Sequence, residues 1–329
     1  MWVSSKGATR DRRAGIAGVV IIAATLCSPE IASSQHYPSR PIRIIAAPPG
    51  GNGDFTARLI APALAESLGQ PVIVENRPTA AVAEIASRAP ADGYSLLINA
   101  SVLWLAPFMK DNLAYDPIRD FAPITLAVKS PHLLVVNPAL PVTSVQELIA
   151  LAKAQPGKLN YAASGSGTSV HLSAELFNAM AGVRTVYIAY KGSGPAFNDV
   201  ISGQIQFMFP VAAAGMPHVK SGRLRALAVT SLKPTELAPG LNTLASSGLA
   251  GYESESILGM FTRAGTPPTV ITRLNQEMVR FLRTAEVKER FLHAGVESVG
   301  SSPAEFAITI KSEMSRMGRL IKAAGIRAD

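Results

Sequence analysis

LNYAASGSGTSVHLSAELF, residues 159–177, is the stretch that decides the fold. Residues 159–163 read as a short strand, and Ser164, Gly165, Ser166, Gly167, Thr168 and Ser169 form a glycine-rich turn. A helical pattern then starts at once, with His171 on its first turn. The same order recurs twice. Residues 42–45 lead into Pro48, Pro49, Gly50, Gly51, Asn52, Gly53 and Asp54; residues 186–190 lead into Lys191, Gly192, Ser193, Gly194 and Pro195. Working outward, β-type runs appear at 72–75, 95–99, 133–137, 204–209 and 225–230. Between them apolar residues recur with the helical period. Leu59, Ile60, Ala63, Leu64 and Leu68 share one face, and Gly69 stops that helix. Ser144 with Glu147 predicts a capping box, and Ser302, Pro303 and Glu305 give another helix start signal. Val270, Ile271, Leu274, Met278, Phe281 and Leu282 mark a penultimate helix; Phe306, Ile310, Met314, Met317 and Ile321 mark the last one. Strand–helix alternation of this kind predicts an α/β fold with mostly parallel sheets.

The N-terminus has a different character. Lys6, Arg10, Arg12 and Arg13 precede an uncharged run at 14–26, followed by the small residues Ala32, Ser33 and Ser34. That run is too short to span a bilayer and matches a signal-peptide core, which predicts export and cleavage near Ser34. The leader holds four basic and two acidic residues, so the formal charge of +8 falls to about +6 without it. It also holds Cys27, the only cysteine, so the mature chain carries no thiol in an oxidising compartment. The composition, 48% hydrophobic and 16% charged, excludes intrinsic disorder. The basic residues form no run and no aromatic interleaving, which argues against nucleic acid as a partner.

The glycine turns carry the functional signal. Glycine lets backbone N–H groups approach a ligand closely, and a helix N-terminus adds unpaired donors and partial positive charge. Turns at the carboxyl ends of strands are where α/β sheets bind ligands. Taken singly each could be only a tight turn; three together predict a site for a small anion held by neutral donors. None completes the phosphate loop, and Thr56, Val170 and Phe197 stand where a dinucleotide fingerprint needs its third glycine. No GxSxG or HExxH motif is present. His36, His132, His171, His218 and His293 include no pair at ligand spacing, so no metal site is expected. His171 suits either a base or a capping and packing role, while Asp54 and Asp199 suit either a ligand contact or a helix cap.

The chain resembles the Bug (TctC-like) family, extracytoplasmic receptors of tripartite tricarboxylate transport systems. The resemblance rests on blocks in order along the mature chain: YPSRPIRII from Tyr37, PPGGNGD from Pro48, LGQPVIVENRP from Leu68, DGYSLL from Asp92, YDPIRDFAPITL from Tyr115, GSGTSVHLSAELF from Gly165 and YKGSGPAFNDVISGQIQFMF from Tyr190. It implies a periplasmic binding protein fold of type II, with two α/β lobes joined by a two-strand hinge. By that analogy 1–34 is the leader, 35–126 and 225–329 form lobe 1, the second segment including the return hinge strand, and 127–224 forms lobe 2. The implied ligand is a small organic carboxylate. The residues that would hold it are Gly50, Gly51, Asn52, Asp54, Ser101, Ser166, Gly167, Thr168, His171 and Asp199. No cofactor, metal or catalysis is implied; the partners are membrane transporter subunits or a sensor, and the protein is a periplasmic monomer.

Three departures from the family pattern fall near the expected cleft. Ala46–Ala47 replaces an aromatic before PPGG, Thr79–Ala80–Ala81 replaces a glycine loop after ENRP, and Pro210 replaces an Asp after Met208–Phe209. Pro62 inside the first helix is a fourth irregularity. Two other readings remain open from the residues. One is an exported hydrolase using Ser166 and His171; the other is a non-binding relative with a blocked cleft.

Overall fold

A computed structural model describes residues 37–327; the leader reading therefore lies outside the described residues. Eleven strands and ten α-helices are seen among those residues. In chain order they are β1 (Ile42–Ala46), α1 (Asn52–Leu68), β2 (Val72–Asn76), α2 (Val82–Ser87), β3 (Ser95–Ala100), α3 (Val102–Leu105), β4 (Phe121–Pro131), β5 (Leu133–Val136), α4 (Val145–Ala154), β6 (Asn160–Ala163) and α5 (Ser169–Ala181). There follow β7 (Val186–Ala189), α6 (Ser193–Ile201), β8 (Phe207–Met208), α7 (Ala212–Lys220), β9 (Arg225–Val229), β10 (Glu255–Arg263), α8 (Pro268–Leu282), α9 (Ala285–His293), β11 (Glu297–Ser298) and α10 (Pro303–Ala324).

The strands form two sheets built on one plan. The first has the order β11-β4-β10-β3-β1-β2 and the second β7-β6-β8-β5-β9. In the first, β1 runs parallel to β2 and β3, and β10 is antiparallel to both β3 and β4. In the second, β6 runs parallel to β7 and β8, and β5 is antiparallel to both β8 and β9. In the first sheet β10 and the two-residue edge strand β11 run against the other four, and in the second β5 alone is reversed. β10 and β5 are each the strand that enters directly after the chain crosses from the other sheet. This is the two-lobed type II plan. It places the carboxyl ends of β1, β2 and β3 on one rim, and those of β6, β7 and β8 on the corresponding rim of the other lobe.

Strand pairing sets the crossings at His132, the single residue between β4 and β5, and after β9 at Thr230. The expected changeovers at 127 and 225 come earlier: residues 127–131 still belong to the first sheet, and β9 pairs with β5 in the second. The long strands β4 and β10 were not among the expected runs. Pro123, Pro131 and Lys129 interrupt the apolar pattern of β4, and Gly259 interrupts that of β10. The run at 204–209 shrinks to the two residues of β8, and α9 intervenes between the expected penultimate helix and the last one.

The helices form where caps and stripes coincide. Ser302 and Glu305 make a complete capping box on α10. Ser144 caps α4, but Glu147 reaches back to Thr143 rather than to the cap residue. Gly69 ends α1 in the left-handed region, and Pro62 sits on its exposed face. Three apolar cores result. One lies between the first sheet and α1, α8 and α9; a second lies between the second sheet and α6 and α7. The largest runs through both lobes, from Trp104 and Phe261 to Tyr161, Phe177 and Phe207, with Phe306, Ile310, Met317 and Ile321 of α10 closing it.

Candidate functional site

The first glycine loop is braced from within. Asp54 is buried, and its carboxylate accepts from Arg58 Nε (2.9 Å), Asn76 Nδ2 (2.8 Å) and the Gly50 backbone N–H (3.3 Å). Asn76, at the end of β2, also donates to the Ala47 carbonyl at 2.7 Å. Hydrogen bonds from Arg58 lead the forces that hold the Asp54 carboxyl below the usual carboxylate range. The stabilisation is therefore present above the unfolded value of about 4 and is lost as the pH falls through the lower folded value. Because Arg58 is solvent-screened, Asp54→Asn is expected to cost about 1 kcal/mol at pH 7. Urea unfolding at pH 7 and pH 2 checks this, with the cost disappearing at the lower pH. The turn itself is exposed, and nothing lies within 4 Å of where a Cβ would sit at Gly50 or Gly51. Gly51 precedes α1 without a side-chain cap, leaving the first amides of that helix, from Asn52 onward, unpaired within it.

The second loop is ordered by its own side chains. Thr168 caps α5, accepting from the His171 N–H at 3.3 Å, while its hydroxyl donates to the Gly165 carbonyl at 3.0 Å. His171 is buried and accepts the Gly167 N–H on Nδ1 at 3.0 Å, and its ring stacks on Tyr187 with centroids 4.2 Å apart. Burial lowers its pKa, which favours the neutral ring that this bond requires. Ser166 donates to the Arg327 carbonyl, and Arg327 pairs with Asp111 at 3.0 Å. Ser166 and His171 are thus each engaged elsewhere, and no nucleophile–base pair joins them.

In the third loop, Tyr190 donates to Asp199 at 2.5 Å, tying the end of β7 to α6. Gly192 holds φ at +130°, a conformation closed to ordinary side chains, and starts α6 without a cap. Ser101, buried, stands at the start of α3 on the first rim; its carbonyl accepts from the Trp104 and Leu105 amides.

A pocket of about 230 Å³ opens among the strand tips of the second sheet. Ser164, Thr168 and Ser169 line it from the β6 turn, Ser193 and Ala196 from α6, and Met208, Pro210 and Val211 from the β8 end. The starts of α5, α6 and α7 meet there, and its walls carry no charged side chain. Thr168 is the one residue of the expected set among those walls. Ser166, Gly167, His171 and Asp199 shape the surrounding turns, whereas Gly50, Gly51, Asn52, Asp54 and Ser101 stand at the strand ends of the first sheet and do not line this pocket. Sequence reasoning passed over Ser164, Ser169 and Ser193 although they stand in the quoted turns, since it weighed Ser166 ahead of its neighbours. Asn76 and His132 offered no spacing signal. Larger cavities lie elsewhere, including one of about 610 Å³ between α7 and the end of α9, but no glycine turn lines that one.

Comparison with known proteins agrees with this architecture. Residues 56–326 match the family model described as tripartite tricarboxylate transporter family receptor. The chain is 33% identical to the protein BugT of Bordetella pertussis, over 96% of this chain and 98% of that protein. Among solved structures, Rpa4515 of R. palustris with adipate superposes with a TM-score of 0.74 at 33% identity, covering 88% of this chain and 99% of that one. MatC of Rhodopseudomonas palustris with bound malate does so with a TM-score of 0.68 at 26% identity, covering 87% and 100%.

Proposed function

This chain belongs to the tripartite tricarboxylate transporter receptor family, and on that premise we propose that it captures a small organic carboxylate between its two lobes. The observation that carries this reading is the convergence of three helix starts on a pocket without charged walls. Gly192 and Val211 begin α6 and α7 with no side-chain cap, whereas Ser144, Thr284 and Ser302 cap α4, α9 and α10. The leading amides of α6 and α7 are therefore left to an incoming anion, which the helix dipoles favour. Pro210, standing where the family commonly carries Asp, adds apolar surface to the wall. The ligand then binds chiefly through backbone, and Asp54, His171 and Asp199 serve to hold the turns.

Gly50, Gly51, Asn52 and Ser101 on the first rim close over the ligand by hinge motion about β4 and β10. The adipate and malate of the two related structures fit this chemistry. Open space around Gly50, Gly51, Gly192 and Gly194 speaks against a cleft filled by side chains. The protein is exported, loses its leader near Ser34, and delivers the ligand to transporter subunits or a sensor.

Native mass spectrometry of the freshly purified protein, with a thermal-shift panel of organic acids, tests the reading. A retained acid or a saturable rise in melting temperature is expected; an empty protein that no acid stabilises would refute it. Ser193→Pro removes one leading amide of α6 while fitting its first turn. An amide–carboxylate bond contributes about 1.5–3 kcal/mol, so affinity should drop roughly 10- to 100-fold. Ser193→Ala, which keeps the amide, should bind within a few-fold of the parent.

A further inference from the structure

His132, at the first crossing between the lobes, is fully buried and belongs to no part of the site described so far. Its backbone N–H donates to Thr230 Oγ1 at 2.7 Å, and its carbonyl accepts from the Thr230 N–H at 3.0 Å, lacing the two crossings together. It also forms a β-bridge with Val211 at the start of α7. Its ring lies between the hinge and the pocket. Nδ1 is 3.2 Å from the Ser254 carbonyl, and Nε2 is 3.2 Å from Ser169 Oγ.

The protons in this cluster can be assigned by elimination. A carbonyl oxygen only accepts, so Nδ1 carries the hydrogen that reaches Ser254. Ser173 Oγ also lies 3.2 Å from Nδ1, but its single proton goes to the Ser169 carbonyl at 2.8 Å. Its oxygen is free to accept from Ser254 Oγ, also at 2.8 Å. A neutral imidazole protonated on Nδ1 has a bare Nε2, and the donor facing it is the Ser169 hydroxyl. Full burial lowers the His132 pKa to about 4, so the ring stays neutral and Nε2 stays an acceptor across the ordinary pH range.

Ser169 lines the pocket, yet its proton is directed away from it. Thr168, beside it, is in the same position, having given its proton to the Gly165 carbonyl. The α5 wall of the pocket therefore offers hydroxyl oxygens as acceptors, which repel a carboxylate and welcome an O–H or N–H. The α6 and α7 starts offer the amides that welcome the carboxylate. From this we infer that His132 sets the hydrogen-bonding polarity of the pocket through Ser169, so that the ligand is a carboxylate carrying its own neutral donor, such as a hydroxyl near the carboxyl group. This rests on the carboxylate reading above and narrows it.

The test is isothermal titration of the purified protein with three matched pairs: lactate and propanoate, malate and succinate, mandelate and phenylacetate. In whichever pair fits the pocket, the hydroxy acid should bind about tenfold tighter, the scale of one neutral hydrogen bond. In Ser169→Ala that ratio should fall severalfold toward one, because the ligand hydroxyl loses its nearest acceptor. Equal affinities, or a ratio unchanged in Ser169→Ala, would overturn the inference while leaving carboxylate capture standing. Binding of no acid in either series would instead count against the broader reading, and the inference with it. A second measurement needs no variant: nitrogen-15 spectra of the histidine rings should show His132 protonated on Nδ1 and bare on Nε2. The opposite tautomer would remove the basis of the assignment.

Discussion

Gly259→Val should destabilise the protein by more than about 3 kcal/mol, the upper part of the range for overpacked cores. Gly259 lies in β10, between β3 and β4, and faces the first turn of α10. A Cβ there would stand 2.1 Å from Phe306 Cζ and 2.3 Å from its Cε1. The ring has nowhere to go, being fully buried with centroids 5.9 Å from Trp104 and 5.1 Å from Phe261. Relief would require α10 to lift away from the sheet, undoing the core that this helix closes. Phe306→Ala alone should cost about 3–5 kcal/mol through the cavity it leaves. The double variant should then cost well under the sum of the two, because each change relieves the other. Urea unfolding of the three variants checks the cycle; strict additivity would mean that the two side chains do not compete for one space.

The second large effect is on pH dependence. Glu313 on α10 is buried, and its Oε2 accepts from Trp104 Nε1 at 2.9 Å. Burial is the chief cause that pushes its carboxyl up to about 7, with Glu253 and Glu255 adding to the rise and Trp104 and Arg316 opposing it. Below pH 4.5 the group is protonated in both the folded and unfolded chain and costs nothing. As the pH rises from about 4.5 to 7 the unfolded chain ionises while the folded one does not, so stability declines across that window and stays lowered above it. The gap corresponds to about 3 kcal/mol. Glu313→Gln, which retains an acceptor for Trp104, should therefore raise stability by up to about 3 kcal/mol at pH 8 and leave it unchanged near pH 4. Chemical unfolding at the two pH values measures the difference; equal gains at both would show that the carboxyl is not held neutral.

The α/β alternation and the eight short strands were legible because their apolar runs are compact and end at glycine turns. The two longest strands were not. In β4 and β10 the burial comes from position at the centre of the first sheet rather than from β-branched residues, and Pro123 and Gly259 mask the run. The last helix was placed correctly, and four of its five expected stripe residues, Phe306, Ile310, Met317 and Ile321, are buried. Glu313 is buried and Met314 only half-buried, because Trp104 supplies a partner that no local pattern announces.

At the candidate site, the glycine turns could be read directly, since a turn between strand and helix is local chemistry. The roles of individual residues could not. Asp54 acquires Asn76 from another strand, and His171 acquires Tyr187 from the neighbouring one. His132 acquires Ser169 and Ser254 only when the chain has crossed between sheets twice. Such partners are set by topology, and spacing along the chain is silent about them.

The core that passes beneath both sheets has a consequence for how the molecule answers its ligand. Two lobes with separate interiors could melt one after the other, and an occupant of the cleft would protect only the part it touched. Here α10 packs on β4 of one lobe and on α5 of the other, and both contribute to a shared interior. That shared interior leaves no apolar seam between the lobes. Whatever free energy the ligand supplies is then felt by the whole chain as a single increment, about 2.7 kcal/mol at a hundredfold excess over the dissociation constant. An occupied receptor is thus more durable throughout its length, far from the few amides that hold the guest.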